Sequence, residues 1–304
     1  MLRLISDNTT IKFIKLKALS FTFSGILSVL AILSVLFVGL NFGIDFKGGI
    51  LLEVRTGNNI AISDIRSKIS DLNIGEVSIQ EFGVKSDYLI RVERQKGADN
   101  AQQVAVEILK DALNEAFGKD IDYRRLEYVG PTVSKDLISD GVMAICFAIM
   151  AMLAYIWFRF ELPFAIGAII ALLHDIILTL GVFSILGLEF NLSTVAAILL
   201  IIGYSMNDTV VVYDRIRENL RKFKKMELKE LLDKSINETL SRTINTTITT
   251  MLALGALYLI GGQIISDFAF AMLWGIIVGT YSSIFIASTV LMFLNIRRSK
   301  ESES

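Results

Sequence analysis

Six long apolar stretches constrain this 304-residue chain more than any other feature of its sequence. A helix needs about 20 mostly apolar residues to cross the hydrocarbon core of a bilayer. Such stretches lie at residues 20–40, 137–158, 163–183, 192–213, 243–261 and 268–294. The charged residues, 20% of the chain, are concentrated between these apolar stretches, and this pattern excludes a disordered chain. The single cysteine, Cys146, excludes a scaffold held by internal disulfides. We therefore predict a polytopic α-helical membrane protein with six transmembrane helices.

The distribution of Lys and Arg beside the apolar stretches predicts their orientation, because short cytoplasmic loops carry an excess of these residues. Four precede the first stretch, one separates the second from the third, nine lie in residues 214–242 and three follow the last stretch. The short loops 184–191 and 260–267 have none. Residues 1–19 and 295–304 are therefore predicted to be cytoplasmic tails. No small-residue cleavage site follows the first stretch, so we interpret it as a retained signal anchor.

Residues 41–136 form the long polar block of the sequence and are predicted to be an exported α+β domain. Alternating or β-branched runs predict strands, and apolar residues at helical spacing predict amphipathic helices. The predicted order is strand 50–56, helix 60–72, strands 76–82 and 87–93, helix 100–117 and strand 122–129. This β-α-β-β-α-β order is typical of the ferredoxin-like fold. The block has no His and no Cys, which favours a docking or sensing domain over a catalytic or metal-binding one.

Ionisable side chains inside the predicted spans are a strong functional signal, because burying a charge in a bilayer is unfavourable. They are His174 and Asp175 in the middle of the third span, Asp208 in the fourth and Arg242 at the start of the fifth. Polar residues accompany them on the fourth and fifth spans: Ser205, Asn207, Thr209, Asn245, Thr246 and Thr249. Packed together, these side chains would form a hydrated polar seam around a carboxylate that loads and releases protons. We therefore predict that the four ionisable residues form a proton relay.

Structural roles compete with this interpretation. Asp208 and Arg242 could form only a buried ion pair that fixes helix packing, and Arg242 could be an ordinary cytoplasmic anchor. His174 fits a hydrogen-bonded packing role. The five-helix bundle 137–294 includes a cytoplasmic amphipathic segment at 214–242. Its basic stretch, residues 215–234, is predicted to be an amphipathic helix on anionic lipid. The stretch has neither a series of interleaved aromatic residues nor a recognised module for nucleic-acid binding.

The motifs of intramembrane proteases are incomplete in this chain. A serine protease needs an accessible Ser with a base in reach, but Met206 follows Ser205 where the rhomboid pattern has Gly. An aspartyl protease needs two carboxylates that share a site, and Asp214 supplies only one half of such a motif, at the membrane edge. The sequence therefore predicts no catalytic residue, no cofactor and no metal site.

Several motifs, in order along the chain, resemble those of the SecD/SecF family of protein-export membrane proteins. They are GLNFGIDFKGG at 39–49, VGPTVS at 129–134, HD at 174–175, GYSMNDT at 203–209, VYDRIREN at 212–219 and SRTINT at 241–246. The resemblance extends over residues 13–294, and the length and order of the motifs make it specific. One six-helix unit with a modest exported domain is similar to the SecF branch of this family.

The resemblance implies a subunit that acts with SecD in the bacterial inner membrane, in an assembly related to the resistance–nodulation–division transporters. Its other implied partners are the Sec translocation channel with its accessory membrane subunits, exported preproteins and membrane lipid. The family uses the proton motive force to promote late steps of translocation, and the roles of its fourth-span Asp and fifth-span Arg fall on Asp208 and Arg242. Two rival functions are a proton-driven exporter of small molecules or lipids and a non-conducting membrane scaffold.

The family signature also contains candidate joints between the spans and the exported domain. They are Gly39, Gly43, Asp45, Gly48, Gly49, Gly130 and Pro131. Moving one charge across 100 mV is worth about 2.3 kcal/mol, which shifts a two-state equilibrium appreciably. We expect a proton cycle at Asp208 to move the exported domain with the first two spans about these joints.

Overall fold

The computed structural model describes residues 9–57, 60–70, 72, 74–75, 77–82, 84–93, 95, 101–118, 121–261, 263–294 and 296. Most of the predicted cytoplasmic tails, residues 1–8, 295 and 297–304, lies outside the described residues. So do Glu76 and Asn100, where a strand and a helix are predicted to start.

The predicted spans and the predicted strands and helices of the polar block are present in the predicted order. Three short elements that the sequence does not predict are added: Asn41–Phe42, Ile44–Lys47 and Glu189–Phe190. The helices are α1 (Lys17–Phe37), α2 (Ile44–Lys47), α3 (Ile62–Ser70), α4 (Ala101–Phe117), α5 (Pro131–Arg159), α6 (Leu162–Leu186), α7 (Leu192–Lys222), α8 (Leu228–Ile260), α9 (Gln263–Ser282) and α10 (Ser288–Val290). The strands are β1 (Asn41–Phe42), β2 (Gly49–Arg55), β3 (Val77–Phe82), β4 (Val84–Val92), β5 (Asp122–Val129) and β6 (Glu189–Phe190). A 3-10 turn at Phe13–Leu16 leads into α1, and a π-helical turn at Ser283–Ala287 joins α9 to α10.

Six of the described helical segments are long and apolar enough to cross a membrane, which confirms the predicted fold class. They are Phe13–Phe37, Thr132–Arg159, Leu162–Leu186, Leu192–Lys222, Leu228–Ile260 and Ile265–Val290. The third, fourth and sixth are 50%, 56% and 67% buried over their most apolar window, whereas the others are 17% buried or less. The helices α6, α7 and α9 therefore form the centre of the bundle, and α1, α5 and α8 present apolar faces outward.

Small residues allow neighbouring helices to approach closely. A Cβ atom on Gly181 of α6 would lie 2.3 Å from the Cβ atom of Ala31 on α1. A Cβ atom on Gly275 of α9 would lie equally close, 2.3 Å, to Cγ1 of Ile201 on α7. Because glycine has no side chain, the neighbouring helix packs directly against its backbone at these positions, a common arrangement between membrane helices.

The basic stretch 215–234 is divided between two helices, where the sequence predicts one. The C-terminal end of α7 and the N-terminal part of α8 form a helical hairpin, and Asn219 Nδ2 donates to Ser235 Oγ across it at 2.9 Å. Apolar residues of both helices, among them Ile216 and Leu231, are fully buried. A single helix on a lipid surface would leave one of these apolar faces without a protein partner, so the hairpin buries more apolar area.

The strands β2 to β5 form an antiparallel sheet in the order β3-β4-β2-β5. Ile50 of the central strand β2 pairs with Val92 of β4 on one side and with Tyr128 of β5 on the other. Because α3 follows β2 and α4 follows β4, this strand order is the ferredoxin-like arrangement that the sequence predicts. Alternate strand residues and one face of each helix form the core: Ile50, Leu52, Val54, Ile65, Ile69, Tyr88, Ile90, Val92, Leu109 and Leu113.

The chain divides into two compact units. The helical unit comprises Met1–Asn41, Met143–Leu188 and Ser193–Ser304, and the α+β unit comprises Phe42–Val142 and Glu189–Leu192. The α+β unit therefore includes the N-terminal part of α5 beyond the predicted end of the domain at residue 136. It also includes a short loop from between α6 and α7, which the sequence does not predict.

Candidate functional site

Asp175 on α6 is the centre of a polar cluster that joins three helices, and its side chain is fully buried. Its Oδ2 atom accepts hydrogen bonds from Ser205 Oγ of α7 at 2.5 Å and from Ser282 Oγ of α9 at 2.8 Å. Its Oδ1 atom lies 3.0 Å from Nδ1 of His174. The carboxylate therefore connects the three most buried spans of the bundle.

The local sequence of α9 brings the Ser282 hydroxyl to the Asp175 carboxylate. Gly279 lies against α7, since a Cβ atom there would be 2.9 Å from the Cβ atom of Ser205. One turn later the helix presents Ser282 to Asp175 and then widens into the π-helical turn. Ser288 Oγ donates to the Ser283 carbonyl oxygen across this turn at 2.8 Å. Single π-helical turns inside α-helices are rare and occur frequently at functional sites.

His174 extends the cluster toward α1. Its ring centroid lies 6.2 Å from that of Tyr281, whose hydroxyl oxygen is 2.9 Å from Ser24 Oγ on α1. The His174 side chain is buried, and its Nε2 atom has no hydrogen-bond partner among the described residues. Its Nδ1 atom is directed at the carboxylate, so Asp175 fixes the orientation of the imidazole.

Asp208 is the second buried carboxylate of the bundle, with 3% of its surface exposed. It follows Ser205 by three residues on α7, and its Oδ2 atom lacks a hydrogen-bond partner within the part of the chain that the structure describes. Arg242 on α8 is exposed and acts on Asp208 through its charge. None of the ion pairs formed by the described residues joins the two side chains within 4.0 Å. The interaction between them is therefore long-range attraction and not a direct ion pair.

The other residues of the predicted polar seam lie apart from Asp175. The three threonines donate to backbone oxygens of their own helices, Thr209 to Ser205 at 3.2 Å, Thr246 to Thr243 at 2.8 Å and Thr249 to Asn245 at 2.9 Å. Asn207, Asn245 and Thr249 are exposed. We call these three exposed polar positions on α7 and α8 the outer polar face.

Sequence reasoning did not identify Ser282, Tyr281 or Ser24 as members of the cluster. A signal for the first of them was present, because Ser282 and Ser283 are adjacent hydroxyls inside the sixth apolar stretch. Among the residues that the structure describes, no three His, Cys, Asp or Glu side chains gather closely enough to hold a metal ion. Buried ionisable groups inside spans are unfavourable and usually mark a function, and the cluster contains a carboxylate, an imidazole and hydroxyls.

The glycine-rich signature surrounds the start of the α+β unit. Its left-handed residues are Gly39 (φ 82°), Gly48 (φ 73°) and Gly49 (φ 128°), where other side chains are strained. Gly43 has an ordinary φ of −71°, and Pro131 is the first residue of α5, directly after Gly130. Asp45 Oδ2 accepts a hydrogen bond from the backbone N–H of Leu192 at 2.9 Å. The role of these positions as joints stays a prediction.

Two family models match this chain. Residues 33–60 match the SecD/SecF GG motif, and residues 108–297 match the C-terminal region of the protein export membrane protein SecD/SecF. The protein translocase subunit SecF of Rickettsia rickettsii is 47% identical over 303 residues, which cover 99% of this chain and 97% of that protein. The protein translocase subunit SecF of Magnetococcus marinus is 48% identical over 267 residues, 87% of this chain and 86% of that protein.

Two solved structures have a similar fold. The crystal structure of SecDF, a translocon-associated membrane protein from Thermus thermophilus, matches with a TM-score of 0.84 and 34% sequence identity, covering 95% of this chain. A crystal structure of SecDF in its super-membrane-facing form matches with a TM-score of 0.72 and 32% identity, covering 99% of this chain. The aligned part spans only 39% and 41% of those two longer chains.

The fold defines a multi-pass helical membrane protein that carries a ferredoxin-like domain between its first two spans and a buried carboxylate cluster in its bundle. The matches extend over nearly all of this chain and nearly all of its relative from Rickettsia rickettsii. The chain belongs to the SecF family of protein-export membrane proteins.

Proposed function

We propose that this chain is an accessory subunit of the Sec protein-export machinery, acting with SecD to use the proton motive force in late steps of preprotein translocation. It lies in the bacterial inner membrane, with both termini in the cytoplasm and the α+β unit on the outer side. Membership of the SecF family, the translocase names of its relatives and the two SecDF neighbours support the partner and the machinery. The chain contacts the translocation channel and the exported protein, and it catalyses no reaction of its own.

The observation that carries the proton-coupled role is the buried carboxylate of Asp208. A carboxylate inside a spanning helix is unfavourable unless protein groups or water stabilise it, and such residues usually mark ion or proton pathways. Asp208 is buried, its Oδ2 atom has no partner among the described residues, and a cation acts on it only from a distance. A group in this environment can change its protonation state without breaking a direct ion pair.

The cluster around Asp175 gives a second proton-binding centre close to the first along α7. Ser205, bound to Asp175, lies about 4.5 Å before Asp208 along the helix axis, at 1.5 Å per residue. Protons exchanged at Asp208 would therefore change the charge next to the hydrogen bond that joins α7 to α6. His174, whose Nδ1 atom lies 3.0 Å from Asp175 Oδ1, belongs to the same centre. We assign Asp208 the coupling role, and Asp175 with His174 the role of a relay that also holds the helices together.

The outer polar face indicates where the partner lies. Asn207, Asn245 and Thr249 are exposed on helices that otherwise present apolar surface, and amides exposed to lipid are unfavourable. A helix of SecD placed against this face would cover the amides and enclose water beside Arg242. The seam would then be hydrated at the interface of the two subunits.

The energy of the gradient is sufficient for a conformational step. One charge moved across 100 mV is worth about 2.3 kcal/mol, and a difference of this size changes a two-state population about fiftyfold. We propose that this energy moves α7 against its neighbours and that the left-handed glycines of the signature absorb the change in direction between the units. The α+β unit, moved in this way, would pull or release the exported protein on the outer side.

The test measures the export of a reporter preprotein into inner-membrane vesicles that contain the SecD complex, with and without a proton gradient. Asp208→Asn keeps the shape of the side chain but cannot exchange a proton, and we expect export to fall to the level without a gradient. The matched control is Asp214→Asn, on the same helix, where the carboxylate is 45% exposed and pairs with Arg159. Normal export by assembled complexes with Asp208→Asn would overturn the proton-coupled role and leave a scaffold.

A further inference from the structure

The loop between α6 and α7 belongs to the α+β unit, although the helices on both sides of it belong to the helical unit. The residues concerned are Glu189–Leu192, and α7 starts at the last of them. The same helix continues without interruption to Lys222 and carries Asp208. The α+β unit is therefore continuous with the helix that holds the proposed proton-coupling residue, as well as with the first two spans.

Hydrogen bonds and an ion pair attach this loop to the α+β unit, and its strand β6 pairs with β1. Gly43 N–H donates to the Phe190 carbonyl oxygen at 2.9 Å, and Asp45 Oδ2 accepts the Leu192 N–H at 2.9 Å. The guanidinium of Arg91, near the C-terminal end of β4, pairs with the carboxylate of Glu189. We call these three contacts the loop anchor.

The bond to Asp45 is made to the first turn of α7. The first backbone N–H groups of a helix have no partner within the helix, and a carboxylate placed there also interacts favourably with the helix dipole. Asp45 therefore stabilises the start of α7 from the α+β unit. Movement of this helix end away from Asp45 would expose an unpaired N–H group and an unpaired carboxylate.

Packing around the anchor is close enough to transmit a displacement. The rings of Phe42, Phe46 and Phe190 form a cluster with centroid distances of 6.0, 5.8 and 5.8 Å. A Cβ atom on Gly43 would lie 3.2 Å from the Cβ atom of Asn191 and closer still to the Glu189 carboxylate. The φ of Gly43 is ordinary, so the backbone conformation does not require glycine here. The close contact with the loop does require it, because a side chain would collide with Glu189 and Asn191.

The ion pair is sheltered from solvent. The Arg91 and Glu189 side chains are only 21% and 17% exposed, so water and salt screen their attraction less than in a surface pair. Arg91 also donates to Gln80 Oε1 on the neighbouring strand at 3.3 Å, which fixes the guanidinium against the sheet. Loss of either partner would leave the other charge partly buried without its counterion.

We propose that Asp45, Arg91 and Glu189 are positioning residues that fasten the start of α7 to the α+β unit, so that a displacement of α7 driven at Asp208 is carried into that unit. This inference rests on the proposed function. It adds a third connection to the two spans that flank the unit in sequence, and it places that connection on the proton-coupling helix itself.

The test uses the full SecD complex in vesicles and measures two quantities for each variant, proton entry and gradient-driven export per assembled complex. Arg91→Glu and Glu189→Arg each place like charges together, and we expect export to fall about fivefold or more while proton entry stays at the level of the unchanged protein. The double variant R91E/E189R restores opposite charges, and we expect it to recover export. Asp45→Ala should lower export, and Asp45→Asn, which keeps an acceptor oxygen, should recover most of it.

The matched control is Arg125→Glu, which reverses a charge in an ion pair on β5 of the same sheet, 2.6 Å from Glu127. Its export should be unchanged. The inference is overturned if the single variants export normally per assembled complex, if the charge-swapped pair stays as weak as either single variant, or if proton entry falls in parallel with export. Normal export by Asp208→Asn complexes would instead overturn the proposed function, whatever the loop variants do.

Discussion

Ser205 Oγ donates to Asp175 Oδ2 at 2.5 Å, and Asp208 follows Ser205 by three residues on the same helix. Residues three apart lie on the same side of a helix. One turn of α7 therefore carries both a direct bond to α6 and the buried carboxylate that we propose takes up protons. A change of charge at Asp208 would therefore occur one turn away from the bond between α7 and α6.

Removal of the Ser205 hydroxyl should loosen the contact between α6 and α7. We expect Ser205→Ala to lower the stability of the purified protein by about 1 kcal/mol, since Ser282 still donates to Asp175 and hydrogen bonds between membrane helices are modest. Thermal unfolding in detergent measures this change. Thr249→Ala removes an exposed hydroxyl bonded only to its own helix and should change stability by less than about 0.5 kcal/mol. An equal loss of stability in Ser205→Ala and Thr249→Ala would contradict the role of the Ser205 hydroxyl as a link between α6 and α7.

A methyl group at Gly275 should disturb the packing of α7 on α9. The added Cβ atom would lie 2.3 Å from Cγ1 of Ile201, which is 1% exposed and cannot move into solvent. We expect Gly275→Ala to destabilise the protein by about 1–3 kcal/mol and to lower its amount in the membrane. Gly203→Ala is the control, because no atom lies within 4 Å of a Cβ atom built there. A normal amount and unfolding temperature for Gly275→Ala would show that the two helices are not in this contact.

The fold is largely predictable from the sequence because its patterns are local. Apolar stretches of sufficient length specify six spans, and the β-α-β-β-α-β order specifies the ferredoxin-like sheet. The continuous apolar run that predicts the first strand matches the burial of β2, where Ile50, Leu51 and Leu52 are all buried. The point where α7 ends and α8 begins cannot be predicted from one segment alone. The hairpin at Asn219 and Ser235 depends on apolar contact between two segments, which no single-segment pattern contains.

The site is predictable only in part, because its contacts join distant residues. Burial of charge is unfavourable anywhere in a span, so Asp175 and Asp208 could be chosen from the sequence alone. Ser282 lies 107 residues from Asp175 and the Arg91–Glu189 pair spans 98 residues, so these partners require the folded chain. Asn245 and Thr249 share the helical spacing of the predicted seam but face outward, since spacing defines a common face and not the neighbour it meets.

The α+β unit should lose stability in acid through Asp87. Its side chain is 6% exposed, and the hydrogen bond from Arg55 holds the pKa of Asp87 below its ordinary value. Because the pKa is lower in the folded than in the unfolded state, the stabilisation is present above about pH 4 and is lost as the pH falls through the folded value. Hydrogen exchange of β2 and β4, corrected for intrinsic rates, should show protection that is constant down to about pH 5 and falls progressively below about pH 4.

Asp87→Asn should remove this part of the pH dependence and lower protection already at neutral pH. The control is Asp122→Asn, because that carboxylate is 65% exposed and its contact with Arg124 is a surface pair. The Asp122 variant should keep the acid response of the unchanged protein. If Asp87→Asn still loses protection in acid, that loss arises from titrating groups other than Asp87.

Proton uptake by liposomes that contain only this chain and SecD tests the central claim most directly, because it needs neither the channel nor a preprotein. With an imposed gradient, we expect uptake by the unchanged complex and by Asp214→Asn, and uptake at the level of empty liposomes for Asp208→Asn. Equal uptake by Asp208→Asn and the unchanged complex, at equal amounts of assembled protein, would contradict the assignment of Asp208 as the proton-coupling residue.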